Sequence, residues 1–419
     1  MSRAMLLPLL LVVVLTASER CPAAQPGEAA AADEWPQWRG ACRDGHVPAL
    51  PRNMPPFRLL WKQPVAGPCD AGIAISAGRA VVPDHGDKQD VYRCLDARNG
   101  TGLWNRVFPN DRELDYGAGP RATPLIYQGK VYALGAFGDL YCFDLGTGKT
   151  VWQKDFGKDF GARQVPKWGC CGSPLVARGK LIINPGGKAA VAALDPETGN
   201  VLWEGEGSRA NYSSFIAATF GGVEQVVGHD DSSLGGWELA TGKRLWSIPM
   251  EQGAGFIVPT PVAVGGKLLV TDSNNETQLF AFGKDGVILE SPLAKSEAVA
   301  PEVITPVAAG VLVLGQSKRL VCLDAADELK TLWTDATKVF KADCHLVVAD
   351  GVGLGLNKQG EAALFSFDRK GVKILGQAKL CQRTLMHPTV ALGRLYVRDA
   401  EFLYCYSLDD PARPGEATL

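Results

Sequence analysis

Two adjacent cysteines, Cys170 and Cys171, sit in the run Lys167-Trp168-Gly169-Cys170-Cys171-Gly172-Ser173-Pro174. Neighbouring thiols have two fates open to them: they stay reduced as small apolar side chains in a Gly/Ser-type turn, or they oxidise to a strained, labile disulfide. Other polar residues punctuate the chain. Arg121 follows Tyr116-Gly117-Ala118-Gly119-Pro120, Tyr212 lies in Asn211-Tyr212-Ser213-Ser214, and Cys344-His345, Met386-His387-Pro388, His85 and His229 add four imidazoles. Such groups converging in a concavity make a default binding site, although each alone reads first as a satisfied structural hydrogen bond. The histidines are too scattered in sequence to define a metal site, though four from different units could surround one. Asn274, Asn275, Glu276, Asp230, Asp231 and Asp399 offer the hard oxygens that calcium needs, yet each is at least as well explained as a turn residue. No Ser-His-Asp order, phosphate loop, zinc spacing or Cys-x-x-Cys-His haem site is present.

These residues are positioned by a repeat. An outer-strand position recurs eight times at intervals of 42 to 51 residues: Trp61, Trp104, Trp152, Trp203, Trp246, Leu289, Trp333 and Leu375. A unit of this length cannot bury its apolar face alone and must stack on its neighbours, which predicts a β-propeller. The clearest unit reads ATPLIY (122–127), KVYALGA (130–136), LYCFDL (140–145) and TVWQKDF (150–156), four β-rich runs separated by short turns. Asp144 ends its third strand, Gly146-Thr147-Gly148 makes the bend, and Trp152 follows. The phrase returns at Asp96 to Trp104, Asp195 to Trp203 and Ala240 to Trp246. It degenerates from Asp324 to Trp333, and the Trp is lost from Gly283 to Leu289 and from Asp368 to Leu375.

On these residues the chain resembles the pyrroloquinoline-quinone-type propeller repeat family, over residues 58–409. The resemblance implies that Trp61, Trp104, Trp152, Trp203, Trp246 and Trp333 each dock one blade on the next. The superfamily includes quinoprotein dehydrogenases, outer-membrane assembly lipoproteins and uncharacterised secreted propellers. In its alcohol dehydrogenases an adjacent Cys pair forms a strained disulfide ring over the quinone, which gives Cys170-Cys171 a cofactor-capping reading.

The expected fold is all-β, an eight-bladed propeller of four-stranded antiparallel blades. The last repeat (389–408) offers three strands and residues 58–65 offer one, so the N-terminal strand completes the C-terminal blade and removes open edges. A seven-bladed ring would require one degenerate unit to be an insertion. Residues 1–24 read as a signal peptide whose apolar stretch is too short to span a bilayer. Cys21 raises lipid attachment, but Glu19-Arg20 precede it where small residues are wanted, which favours a soluble product. Residues 25–57 form a lead-in, 58–409 the propeller and 410–419 a tail. Within the lead-in, DEWPQWRGACRDGH (33–46) resembles the opening of secreted family members, and Trp35 and Trp38 are expected to plug or cover one rim rather than contact a ligand.

A 46% hydrophobic composition with 48 glycines in 419 residues fits one large β domain. A formal charge of −2 without a Lys/Arg run argues against nucleic acid. Cys94, Cys142, Cys322 and Cys405 share one repeat slot and read as buried packing residues. Cys42, Cys69, Cys344 and Cys381 have no pairing that sequence can assign.

Two functions remain open. The first is an exported, periplasmic or secreted, monomeric and non-catalytic propeller without a cofactor. It binds a protein, peptide or glycan of the cell envelope through rim and channel loops. The second, implied by the resemblance, is a pyrroloquinoline quinone- and calcium-dependent dehydrogenase of alcohols or sugars. In that reading Cys170, Cys171, Arg121 and Tyr212 border the cofactor at the channel mouth and no catalytic residue is identified.

Overall fold

The computed structural model describes residues 33–55, 57–162, 164–250, 256–271 and 276–409. The expected signal peptide, Cys21, Asn274, Asn275 and the C-terminal tail lie outside the described residues.

Among the described residues, thirty-two strands form eight four-stranded antiparallel sheets. Blade 1 comprises Ala74–Ser76, Arg79–Gly86, Gln89–Asp96 and Gly102–Pro109. Blades 2 to 7 repeat this up-and-down order, starting at Leu125, Leu175, Ile216, Val262, Val307 and Cys344. Blade 8 is closed by the N-terminal strand Leu59–Pro64, which pairs with Phe402–Ser407 so that Trp61 faces Cys405. At the seam with blade 1, Arg398 donates to the carbonyls of Pro83 (2.6 Å) and Gly67 (2.9 Å) and meets the Asp84 carboxylate at 3.3 Å, with both charged partners fully buried.

The repeated turn explains how blades join. In blade 2, Asp144 Oδ1 accepts from the Thr147 amide (2.8 Å) and hydroxyl (2.6 Å), fixing the bend before the outer strand. Gly148 has φ +71°, and a Cβ there would lie 2.6 Å from the ring of Trp104 in blade 1. Trp104 Nε1 then donates to the Leu145 carbonyl at 2.9 Å. The same ring-on-glycine contact recurs for Trp61 with Gly100, Trp152 with Gly199 and Trp203 with Gly242. Trp333 Nε1 donates to Asp368 O of the following blade, and Trp246 packs edge-on against Phe282 of blade 5. Cys94, Cys142, Cys322 and Cys405 are fully buried free thiols in the sheets.

Blade 5 departs from the expected pattern. Leu289 is exposed and lies before the outer strand, which is Ala294–Ser296. The chain bridges at Phe282 and Ile288, then leaves the ladder around Ser291-Pro292, where proline supplies no N–H, and rejoins when Leu293 N donates to Leu279 O.

The innermost strands surround a central channel, and residues 33–50 run through one end of it. Trp35 exchanges backbone bonds with Ile75 (2.9 and 2.7 Å), Pro36 O accepts from Ile126 N, and Val47 and Gly45 bracket Val348. His46 Nε2 bonds Ala308 O at 2.7 Å, and Arg43 donates to the carbonyls of Ser173 and Pro174. The segment therefore ties blades 1, 2, 3, 6 and 7 together, and Asp33 O adds blade 8 through Leu392 N. Trp35 is 0% exposed, the largest side chain in this end of the core.

Candidate functional site

The other end of the channel opens into a cavity of about 430 Å³. Its collar stands where chain enters the innermost strands. There, each blade's backbone N–H reaches the next blade's hydroxyl: Thr123 N to Ser173 Oγ, Ser173 N to Ser214 Oγ, Ser214 N to Thr260 Oγ1 and Thr260 N to Thr305 Oγ1, each at 3.0 Å. Four backbone donors with no strand partner are thus satisfied blade by blade. Sequence reasoning missed this collar. Its signal was the Ser/Thr-Pro dipeptide at positions 123, 173, 260 and 305.

One wall is aromatic. Trp168, Tyr212 and Phe256 form a triad with ring centroids 4.7 to 5.6 Å apart. Asn211 holds that wall in place, its Oδ1 accepting from the backbone of Tyr212 (2.8 Å) and Ile257 (3.1 Å). Trp38, expected to plug or cover one rim, lines the cavity. Trp35 does plug, but the turn after it, with Arg39 and Gly40 at positive φ, presents the Trp38 side chain to the open end.

Arg121 lines the cavity, but its guanidinium is committed. It pairs with Asp70 at 3.1 Å and donates to the carbonyls of Trp168, Asp115 and Gly117, so it organises the loops of the mouth. Cys170 and Cys171 are free thiols in this structure rather than a disulfide ring. They also face different ways. Cys170 packs in the core between blades 2 and 3 with Phe156 and Phe160, while Cys171 borders the cavity and its S–H donates to Gly169 O. Burial pushes both thiols up to about 12, so neither is a thiolate nucleophile.

Of the four histidines expected to converge, two do. His345 and His387 line the cavity with rings 5.9 Å apart. His345 Nε2 donates to Leu385 O at 3.0 Å, and His387 Nε2 accepts from the Arg39 backbone N–H at 3.4 Å. Burial holds the imidazoles neutral, lowering His345 to about 4 and His387 to about 3. His85 pairs instead with Asp90, and His229 is buried against Ser213. The acidic candidates lie elsewhere too: Asp230 caps a serine-rich turn, Asp231 pairs with Arg209, Asp399 caps its own turn, and Glu276 pairs with Lys295. Cys42 is disulfide-bonded, whereas Cys69, Cys344 and Cys381 are buried free thiols.

The sequence model of the family described as outer membrane protein assembly factor BamB matches residues 87–334, more than half of the chain. The chain belongs to this BamB-type family of pyrroloquinoline-quinone-like propellers. The BamB of Shewanella oneidensis is 27% identical over 307 residues, covering 67% of this chain and 72% of that protein. A lupanine 17-hydroxylase [cytochrome c] of a Pseudomonas species is 23% identical over 192 residues, 42% of this chain and 27% of that one. Among solved structures, the quinohemoprotein alcohol dehydrogenase of Comamonas testosteroni superposes with TM-score 0.67 at 15% identity, covering 96% of this chain and 86% of that one. A europium-containing methanol dehydrogenase gives 0.65 at 13% identity, covering 91% and 99%. These two likenesses are of fold.

Among the described residues, the donor set of this cavity does not fit a calcium–quinone pair. The carboxylates lining it among the described residues are Asp70 and Asp343; Asp70 is paired with Arg121, and Asp343 with Lys358 at 2.8 Å. Among the described residues no cluster of three or more His, Cys, Asp or Glu side chains is arranged to hold a metal. Among the same residues, no helix is long and apolar enough to cross a membrane.

Proposed function

We propose that this BamB-type propeller is exported and non-catalytic, and acts in the cell envelope as a scaffold that binds a protein, peptide or glycan through the loops of its open face. The observation that carries this reading is the state of the mouth's acids. Both carboxylates that line the cavity among the described residues are held in ion pairs, which leaves among those residues neither a free base for a hydroxyl proton nor an oxygen cluster for a hard cation. The Shewanella relative, named as an assembly factor, supports the scaffold role and an envelope location. The aromatic wall supports recognition, since Trp and Tyr give large contact area at low conformational cost.

The test is site-directed photocrosslinking in cells. A benzophenone amino acid at Tyr116, an 81% exposed residue at the mouth, should give a discrete adduct with one envelope protein. The same probe at Asp350, on a turn at the sealed face, should give none. Stoichiometric, calcium-dependent binding of pyrroloquinoline quinone with alcohol- or sugar-dependent reduction of a dye would overturn the reading.

A further inference from the structure

Arg39 is the residue at the cavity that the fold leaves unexplained. It is 6% exposed, yet its guanidinium meets only two carbonyl oxygens, those of Pro306 (2.8 Å) and Asp44 (3.2 Å), both through Nη2. Nε and Nη1 have no partner among the described residues. Neither is sealed in protein, because Arg39 is part of the cavity lining. Arg43 stands beside it, 7% exposed, bonded to Gln37 and to two carbonyls, with Nε buried and unpartnered. The two guanidiniums lie 5.4 and 5.2 Å from the ring of Trp38. Neither forms an ion pair with a carboxylate among the described residues; the nearby Asp44 carboxylate offsets only part of the cost of burying Arg39.

The surroundings do not repay that cost. His345 and His387 are hydrogen-bonded to backbone and contribute no negative charge. Among the described residues four cationic side chains line the cavity, Arg39, Arg121, Lys358 and Arg383, against two carboxylates, Asp70 and Asp343, so among these two positive charges are left over. Burial lowers Arg39 to about 10 and Arg43 to about 9, and the charge of Arg39 adds to the lowering of its neighbour. A bound anion would reverse both effects.

We propose that the cavity binds a small organic carboxylate with a flat apolar body, its acid group on a free N–H donor of the Arg39 guanidinium and its body against Trp38 and the Trp168, Tyr212 and Phe256 wall. This goes beyond the scaffold reading, adding a small-molecule site beneath the loops of the open face. A guanidinium N–H gives a carboxylate a charge-assisted hydrogen bond, and a cavity of about 430 Å³ admits a bicyclic acid. The anion site belongs to the channel-spanning segment rather than to a blade, so ligand binding would also stabilise residues 33–50 in place.

The experiment is isothermal titration of the full mature protein, in chelator, with 2-naphthoate and with its uncharged isostere 2-naphthamide. Naphthoate should bind one-to-one and the amide at least about tenfold more weakly, because a neutral amide cannot replace the charge-assisted hydrogen bonds of a carboxylate on a guanidinium. Arg39→Gln should weaken naphthoate by about tenfold or more and Arg39→Lys by less. Trp168→Ala, outside the segment, should weaken both ligands by a similar factor. The comparison of the two ligands on unaltered protein needs no variant to fold. Equal binding of acid and amide, no saturable naphthoate binding up to about 10 mM, or an unchanged affinity in a folded Arg39→Gln protein would each overturn the anion site. Absence of the naphthoate signal with the Tyr116 crosslink retained overturns this inference alone, whereas calcium-dependent quinone turnover overturns the scaffold reading as well.

Discussion

The two ends of the channel are lined by the same innermost strands and differ in what meets them. At the sealed end, residues 33–50 continue the sheets' own hydrogen bonding and bury Trp35 completely. At the mouth, backbone donors are satisfied by a collar of hydroxyls, and the side chains around it include an aromatic wall and several cations. Repetition provides the frame for both ends. A single non-repeating segment decides which end is closed, and it also carries the Trp38 and Arg39 side chains to the floor of the open one. Substitutions at the sealed end should therefore cost stability, and those at the mouth should cost binding.

The largest effect should come from Trp35→Ala. Removing a fully buried indole leaves a cavity, and about 3–5 kcal/mol of unfolding free energy should be lost, read as a shift in the urea midpoint. A loss below about 1 kcal/mol would mean that the segment lies on the propeller without being part of its core.

Acid should act next, at the junction of the two regions. His387 accepts the Arg39 N–H through Nε2 and is held near a pKa of about 3, against 6.5 for an unfolded imidazole. Between these values the unfolded chain binds a proton that the folded one does not. Stability is therefore complete above about pH 6.5, falls as pH is lowered toward 3, and falls no further from this group below that. A few kcal/mol should be lost across the window. Buried His229 and His345, each lowered to about 4, should steepen the upper part. His387→Asn, which keeps an acceptor without a titrating group, should flatten the urea midpoint against pH, and an unchanged slope would place the acid sensitivity elsewhere.

At the mouth, Arg121→Met should cost about 1–2 kcal/mol, since its Asp70 partner is one-third exposed and the pair is partly screened. The more telling readout is local. Faster amide exchange over residues 115–117 and 168, with the blades unchanged, would show that Arg121 organises the loops. Protection left intact there would return it to the pool of ligand-facing cations.

The frame was legible in the sequence and the floor of the site was not, for a physical reason. Trp104, Asp144, Thr147 and Gly148 satisfy one another locally and recur at a fixed period, so their roles follow from spacing. The lone strand at 58–65 was found by counting, because the last unit was one strand short. Arg121, Tyr212, His345 and His387 were placed at the mouth from their positions before the innermost strands, but nothing in their spacing showed that Arg121 would be spent on carbonyls. Trp38 and Arg39 occur once, in a segment whose path depends on bonds to chain up to 360 residues away, and no local pattern encodes that. The Cys170-Cys171 pair was the opposite case, conspicuous in sequence and divided in space, with one thiol in the core and one at the cavity.

The smallest effect sharpens the contrast most. Arg383 is exposed, lines the mouth, and has no hydrogen bond or ion pair among the described residues. Neither packing nor charge pairing ties it to the fold, so Arg383→Ala should change unfolding free energy by no more than about 0.5 kcal/mol in either direction. Its charge still adds to the positive field over the cavity, and an exposed cation acts on an approaching anion over about a Debye length. Association of 2-naphthoate measured by stopped flow should therefore slow modestly in the variant at low salt and match the unaltered protein at high salt. A stability loss above about 1 kcal/mol would make the mouth a structural element like the sealed end, and the division between the two ends would fail at its most exposed residue.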